Sequence, residues 1–324
     1  MSASVVDISI LEIIVRSAAV LAAFLVLPLL VGQMEHKVMA HMQGRLGPMY
    51  AGGFHGWAQL IADGVKFLQK EDLNPAAADR RLYRIAPALA LVPYLVAFAV
   101  VPVHPGVIGA DLPASALFVL VASGVSILGM LVGGWASANK YSLIGGLRSA
   151  AQLLAYELPL VLSVASVCLA AGTLSLTGII GEWSPLWLLW QLPAALVFLV
   201  AAVAELNRPP FDMPIADAEI VMGPFTEYGG LRFAFFLLAE YAGIVLFSVL
   251  FAVLFLGGWR GPGAEWLGWF WTVAKAVPIA FLIIWIRVSW PRLRADQLQR
   301  LAWLGLVPVA LAQLALTATV VVAR

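Results

Sequence analysis

Apolar runs separated by short polar loops set the rhythm of this chain. Runs long enough to cross a hydrocarbon core as a helix, about 20 residues, occur at approximately 10–32, 85–103, 114–136, 150–172, 185–204, 231–256, 267–288 and 302–322. The pattern predicts an all-α, polytopic integral membrane protein with about eight transmembrane helices and polar loops at 33–84, 137–149, 205–230 and 289–301. Pro28, Pro93, Pro159, Pro193, Pro278 and Pro308 fall inside or near these runs. Each would kink its span without removing it, because neighbouring helices can satisfy the backbone groups that a proline frees. One stretch has a different period. From 57 to 70, Trp57, Leu60, Ile61, Val65 and Leu68 recur at helical spacing, while Gln59, Asp63, Lys66 and Lys70 take the opposite face. Such an amphipathic helix either lies in the interface plane beside a lateral opening for a lipid-soluble substrate or packs against a partner subunit.

Composition points the same way: 11% of residues are charged, against roughly 25% in a soluble domain. Fifteen of the nineteen Lys and Arg residues fall in the loops after runs one, three, five and seven, and the opposite loops hold only Arg260. Positive loops are retained in the cytoplasm, so both termini are expected outside and the large polar loops inside. A net charge of +1 with no basic patch gives no indication of nucleic acid. The N-terminus lacks a basic segment before its apolar run, which reads as a retained helix rather than a cleaved signal. With no repeat or low-complexity tract, residues 1–324 are expected to form a single membrane domain.

Several chemistries are disfavoured. Cys168 stands alone in an apolar run and is read as packing. His36, His41, His55 and His104 lack a second histidine or cysteine at metal-ligand spacing, so no metal site is expected. The glycines in "YAGGFHGWA" and "GGLRSAAQLLA" lack the strand and lysine of a nucleotide-binding loop. Redox chemistry, if present, would need electrons brought by another subunit.

The unusual feature is acid at membrane depth. Glu157 lies about seven residues into its run and Glu240 about nine, roughly 10 Å and 13 Å from the run starts at 1.5 Å per residue. Ionised carboxylates there cost several kcal/mol unless they face protein or water, so they are functional candidates by default. The simpler alternative is a protonated carboxyl bonded to a neighbouring helix. Glu205 closes the fifth run, where snorkelling to the interface is its own simple alternative. In "NRPPFDMP" three prolines within six residues forbid a continuing helix, so Arg208 and Asp212 ride on irregular backbone, followed by Asp217, Glu219 and Glu227. Irregular acidic backbone beside a membrane is tolerated where it lines a wet, protein-enclosed cavity.

Five stretches, "AELNRPPFDMP", "TEYGGLRFAFFLLAEY", "GGWASANKYSLIGGLRSAAQLLAYELPL", "QLIADGVKFLQKEDLNP" and "IRVSWPRLRADQL", resemble the H-subunit family of proton-pumping NADH:quinone oxidoreductase, respiratory complex I. The likeness runs from about Glu35 to the last apolar run, with its motifs in the family's order. It implies an eight-helix subunit of a bacterial cell-membrane complex that forms the membrane side of a quinone chamber. Quinone would be a substrate, and FMN and iron–sulfur clusters would sit in partner subunits. Those partners would be the hydrophilic quinone-module subunits and the small and antiporter-like membrane subunits.

By position in these motifs, the resemblance assigns Glu157, Glu205 and Glu240 as intramembrane relay glutamates and Asp212, Asp217, Glu219 and Glu227 as loop carboxylates. It sets Glu35, Arg45 and Asp63 near the quinone entrance, Arg287, Arg292 and Arg294 in the last basic loop, and Arg208 and Phe225 at the chamber. Three positions depart from the family pattern: His36 stands where arginine is common, Ile215 where glutamate is common and Phe225 where histidine is frequent. Two other readings stay open: the membrane subunit of a related [NiFe] hydrogenase complex, and a stand-alone proton or cation transporter.

Overall fold

The structure, a computed structural model, describes residues 10–105 and 108–323. Helices α1 (Ile10–Met42), α3 (Arg80–Val100), α4 (Ser115–Ala136), α5 (Lys140–Ala171), α10 (Gly230–Leu256) and α11 (Gly268–Ser289) are long and apolar enough to cross a membrane, as is the continuous segment Ala295–Val322. Between them lie α2 (Gln59–Gln69), α6 (Leu176–Glu182), α7 (Trp187–Trp190), α8 (Leu192–Glu205) and α9 (Asp217–Ile220). The last long segment comprises α12 (Ala295–Arg300), a π-helical stretch Leu301–Leu306 and α13 (Val307–Val322). The described residues contain no strand. The chain is therefore an all-α polytopic membrane protein.

The expected fifth span, 185–204, is interrupted. It is broken at Gln191, and α8 keeps 14 residues, roughly 21 Å of helix against a hydrocarbon core of about 30 Å. Pro193 causes the break: it has no N–H to continue a preceding helix and is well suited to begin a new one. At the break the Trp190 carbonyl accepts from the Gln313 side chain at 2.8 Å. Around it gathers a buried polar knot in which Ser166 Oγ donates to Gln191 Oε1 at 3.0 Å and Gln191 Nε2 donates to Thr317 Oγ1 at 3.1 Å. The π stretch also precedes a proline: Pro308 would clash with the carbonyl of Leu304 in a regular helix, and widening the turn relieves this.

Three other boundaries move outward because polar residues near the spans keep helical partners. α1 runs ten residues past the apolar pattern, carrying Gln33, Glu35 and Lys37 inside the helix. Gln33 donates to the Gly56 carbonyl at 3.1 Å and Lys37 to that of Pro48. The helix ends before Gly44, whose φ of 69° is left-handed. α5 begins at Lys140 because the Asn139 side chain caps it, accepting from Tyr141 N at 2.8 Å. Asp79 starts α3 in the same way.

Burial is uneven. In the most apolar window of α10, 72% of residues are buried inside the protein, against 11% in α1. α10 packs against α1, α3 and α11, while α5 packs against α4, α8 and α13. The amphipathic helix appears as α2. Phe67 meets Phe233 of α10 at 6.0 Å between ring centroids, whereas Ile61, Val65 and Leu68 are exposed.

Candidate functional site

The proline-rich turn after α8 carries Arg208 into the protein, where its side chain is 1% exposed. Two interactions hold the turn. Gln152 of α5 donates to the carbonyls of Ala204 and Phe211 at 2.6 and 2.8 Å, and the Pro210 carbonyl accepts from Leu293 N at 3.1 Å. Arg208 forms ion pairs with Glu35 of α1 and, through Nε at 2.7 Å, with Glu240 of α10. Arg287 at the end of α11 pairs with the other oxygen of Glu35. The guanidinium of Arg208 also lies over the Tyr241 ring, 5.0 Å from its centroid. Two arginines and two carboxylates from four segments thus neutralise one another at a buried junction.

Glu205, three residues before Arg208, is 3% exposed and does not snorkel. Neither of its oxygens has a partner of hydrogen-bonding geometry, and Ser123 of α4 and the Glu157 carboxylate stand within electrostatic reach. Glu157 lies against the bare backbone of α4 at Gly124: a Cβ placed there would sit 3.2 Å from Glu157 Oε1. Between Glu205 and Glu240 is a cavity of about 20 Å³, lined also by Tyr94 and Ser126. That is the volume a single water needs, and the polar groups around it supply the partners a buried water requires.

The other predicted residues lie apart from this cluster. Arg45 and Asp63 line one groove of about 220 Å³ with His36, Met39, Pro48 and Gln59. Asp63 there accepts from Gln59 at 3.3 Å, and His36 holds a buried Nδ1 with no hydrogen-bond partner. Glu219, Arg292 and Arg294 line an exposed groove of about 420 Å³ with Arg148 and Asp296. In it Glu219 meets Arg148 at 2.6 Å and Arg292 at 3.4 Å. The Arg148 hydrogen bond, with the charge of Arg292 adding to it, holds the Glu219 carboxyl below its ordinary pKa. Glu227 accepts from Asn139 Nδ2 at 2.6 Å and its carbonyl from the Tyr83 hydroxyl, also at 2.6 Å. Phe225 is buried in an aromatic cluster, 4.9 Å from Phe236 and 6.0 Å from Phe233 between centroids, with packing partners on the ring. Asp212 is half-buried in the turn, and the Asp217 side chain lies outside the described residues.

The structure therefore brings Glu35, Arg208, Glu240 and Arg287 into one cluster, with Glu205 and Glu157 behind it. Glu35 belongs to this buried group rather than to an entrance loop, because α1 remains helical through it. Residues absent from the sequence-based assignment are Gln152, Tyr94, Ser123 and Ser126. Each is a polar side chain inside an apolar run, the same signal that marked Glu157.

A bundle of membrane-length helices enclosing a neutralised ion cluster and an unpaired buried acid defines the class: a polytopic membrane protein with charge-bearing groups inside its helical core. The chain belongs to the NADH dehydrogenase family, whose model matches residues 15–318. It is 47% identical over 291 residues to the NADH-quinone oxidoreductase H subunit of Geobacillus kaustophilus, covering 88% of this chain and 87% of that one. It is 46% identical over 294 residues to the protein of the same name from Bacillus mycoides, with the same coverage.

Proposed function

We propose that this chain is the membrane subunit of a proton-pumping NADH:quinone oxidoreductase in a bacterial cell membrane, multi-pass with both termini outside. In this reading it supplies the membrane side of the quinone chamber and converts quinone reduction into a change of proton occupancy. Electrons reach the quinone from iron–sulfur clusters on hydrophilic partner subunits, with FMN upstream of them. Proton-pumping membrane subunits receive the output.

The groove of Arg45, Asp63 and His36 supports the quinone end. Its occupant is an apolar ring with two carbonyls, for which the Arg45 guanidinium on the groove wall offers a polar contact. Glu35 and His36 are consecutive on α1, so the groove and the buried ion cluster share one helical turn. Reduction of quinone consumes two protons and alters the local charge. Through Glu35 that change reaches Arg208 and then Glu240, and across the water-sized cavity it reaches Glu205 and Glu157. Carboxylates this close in a low dielectric titrate as a group.

The observation that carries the reading is Glu205: a fully buried acid with no cation of its own, beside a cluster in which every acid has one. Glu205→Gln, Glu157→Gln and Glu240→Gln in the reconstituted complex, assayed for quinone reduction and for proton pumping, test it. Coupled pumping is expected to collapse in each. Full pumping by all three variants would end the relay reading.

A further inference from the structure

Toward its beginning α1 stands partly off the bundle. Val15, Ala19, Ala23 and Leu27, spaced four apart on one stripe of the helix, line a cavity of about 330 Å³ whose other walls include Phe98 of α3 and Val249 of α10. Only one lining residue is charged. That residue, Arg16, sits at the end of the stripe nearer Ile10, where its Nη1 donates to the Ile108 carbonyl at 3.1 Å and its guanidinium pairs with Glu12 one turn earlier. The two side chains are 41% and 43% exposed, and Ala19 is exposed as well. The quinone groove takes His36 and Met39 of the same helix, roughly 13 Å further along at the nearest. The cavity is therefore a separate place.

We propose that this cavity seats one acyl chain of a phospholipid with a zwitterionic head, phosphatidylethanolamine in class, its phosphate on Arg16 and its ammonium beside Glu12. Three properties argue for that occupant. The first is depth: from Arg16 to Leu27 the stripe runs roughly 16 Å, close to half of the hydrocarbon thickness of about 30 Å, so it spans one leaflet from head level to midplane. The second is size. A docked helix about 10 Å across would need more than about 1,000 Å³ over that length, three times what the cavity offers, whereas a single hydrocarbon chain is slender enough. The third is charge. Arg16 and Glu12 together are neutral, so a head that brings one negative and one positive group leaves no charge uncompensated, and a guanidinium is suited to a phosphate through its forked N–H donors. The chain would lie between α1, which carries Glu35, and α10, which carries Glu240, the two acids that share Arg208. This inference does not depend on the relay.

The test washes the purified, assembled complex with mild detergent, returns isotope-labelled phosphatidylethanolamine or phosphatidylglycerol at graded concentrations, and counts the lipid retained by mass spectrometry. The unaltered complex should hold one more phosphatidylethanolamine than Ala19→Phe, whose ring enters the cavity from an exposed position and not from the core. Arg16→Gln should weaken that retention about tenfold, the value of a hydrogen bond to a charged group, and Arg16→Lys should restore most of it. Glu12→Gln should turn the preference toward phosphatidylglycerol. If Arg16→Gln fails to assemble because Ile108 loses its donor, Ala19→Phe and Glu12→Gln decide. Equal retention of phosphatidylethanolamine by the unaltered complex and Ala19→Phe overturns the site, and equal retention of the two lipids by the unaltered complex overturns the headgroup. Loss of another subunit from Ala19→Phe at constant lipid count would mean that protein fills the cavity, and quinone released by Ala19→Phe in place of lipid would mean that an isoprenoid tail does; either result ends the proposal.

Discussion

Buried acids in two neighbouring places, which share the small cavity lined by Glu205 and Glu240, are treated in opposite ways. At the junction of α1, α10 and α11, Glu35 and Glu240 each meet a guanidinium, and Arg208 is shared between them. Inside the bundle, Glu205 has neither a cation nor a well-formed hydrogen bond. In the first arrangement each ion lowers the cost of burying its neighbour. The second gives the carboxyl no fixed counter-charge. Pairing is what distinguishes the two, and Glu240, which shares Arg208 with Glu35 and a cavity wall with Glu205, stands where they meet.

The largest effect is expected where pairing is removed. Arg208→Gln strands Glu240 and half of Glu35 in the interior and should cost about 3–5 kcal/mol, read as a lower melting temperature and loss of the subunit from purified complex. A variant as stable as the unaltered complex would show that the junction is not held by charge. Next is Gln152→Leu, which leaves two carbonyls of the turn without their donor and should cost about 2–3 kcal/mol in the same measurement. Glu205→Gln should behave in the reverse sense: stability should change by less than about 1 kcal/mol, because no formed ion pair is broken, while pumping collapses. A large destabilisation there would erase the distinction between the two groups.

The smallest effect belongs to the exposed pair Arg148 and Glu219. Glu219→Gln should change stability by less than about 1 kcal/mol. Because its carboxyl is held below the ordinary value by Arg148, this contribution is present above the ordinary carboxylate range. It disappears as pH falls through the lowered folded value. Comparing melting temperatures of the variant and the unaltered complex from pH 7 down to pH 3 should show a small gap that closes at the acid end. A gap that widens on acidification contradicts the sign.

How far the sequence discloses this molecule depends on whether the signal is local. Long apolar runs locate seven of the eight expected spans because hydrocarbon thickness demands them, and the acid-rich turn after Glu205 announces itself through its prolines. Boundaries fail where polar residues find partners far along the chain: Glu35 extends α1 because Arg208 and Arg287 stand 173 and 252 positions away. The short α8 was visible only as Pro193 inside an apolar run, and hydropathy averages over such a break. The partition of the acids was not legible at all. Nothing in "AELNRP" states that Glu205 lacks a cation while the nearby arginine serves two other glutamates, since that follows from three helices meeting.

The polar knot at Gln191 has a mechanical consequence. α8 is too short to be positioned by the two faces of a bilayer, so it behaves as a strut pinned at its upper end by Gln313, Thr317 and Ser166. Long helices tilt when the surrounding lipid thins or thickens. A strut hung by amide and hydroxyl groups from α5 and α13 travels with those two helices, so the acid at its other end keeps its place among them when they tilt.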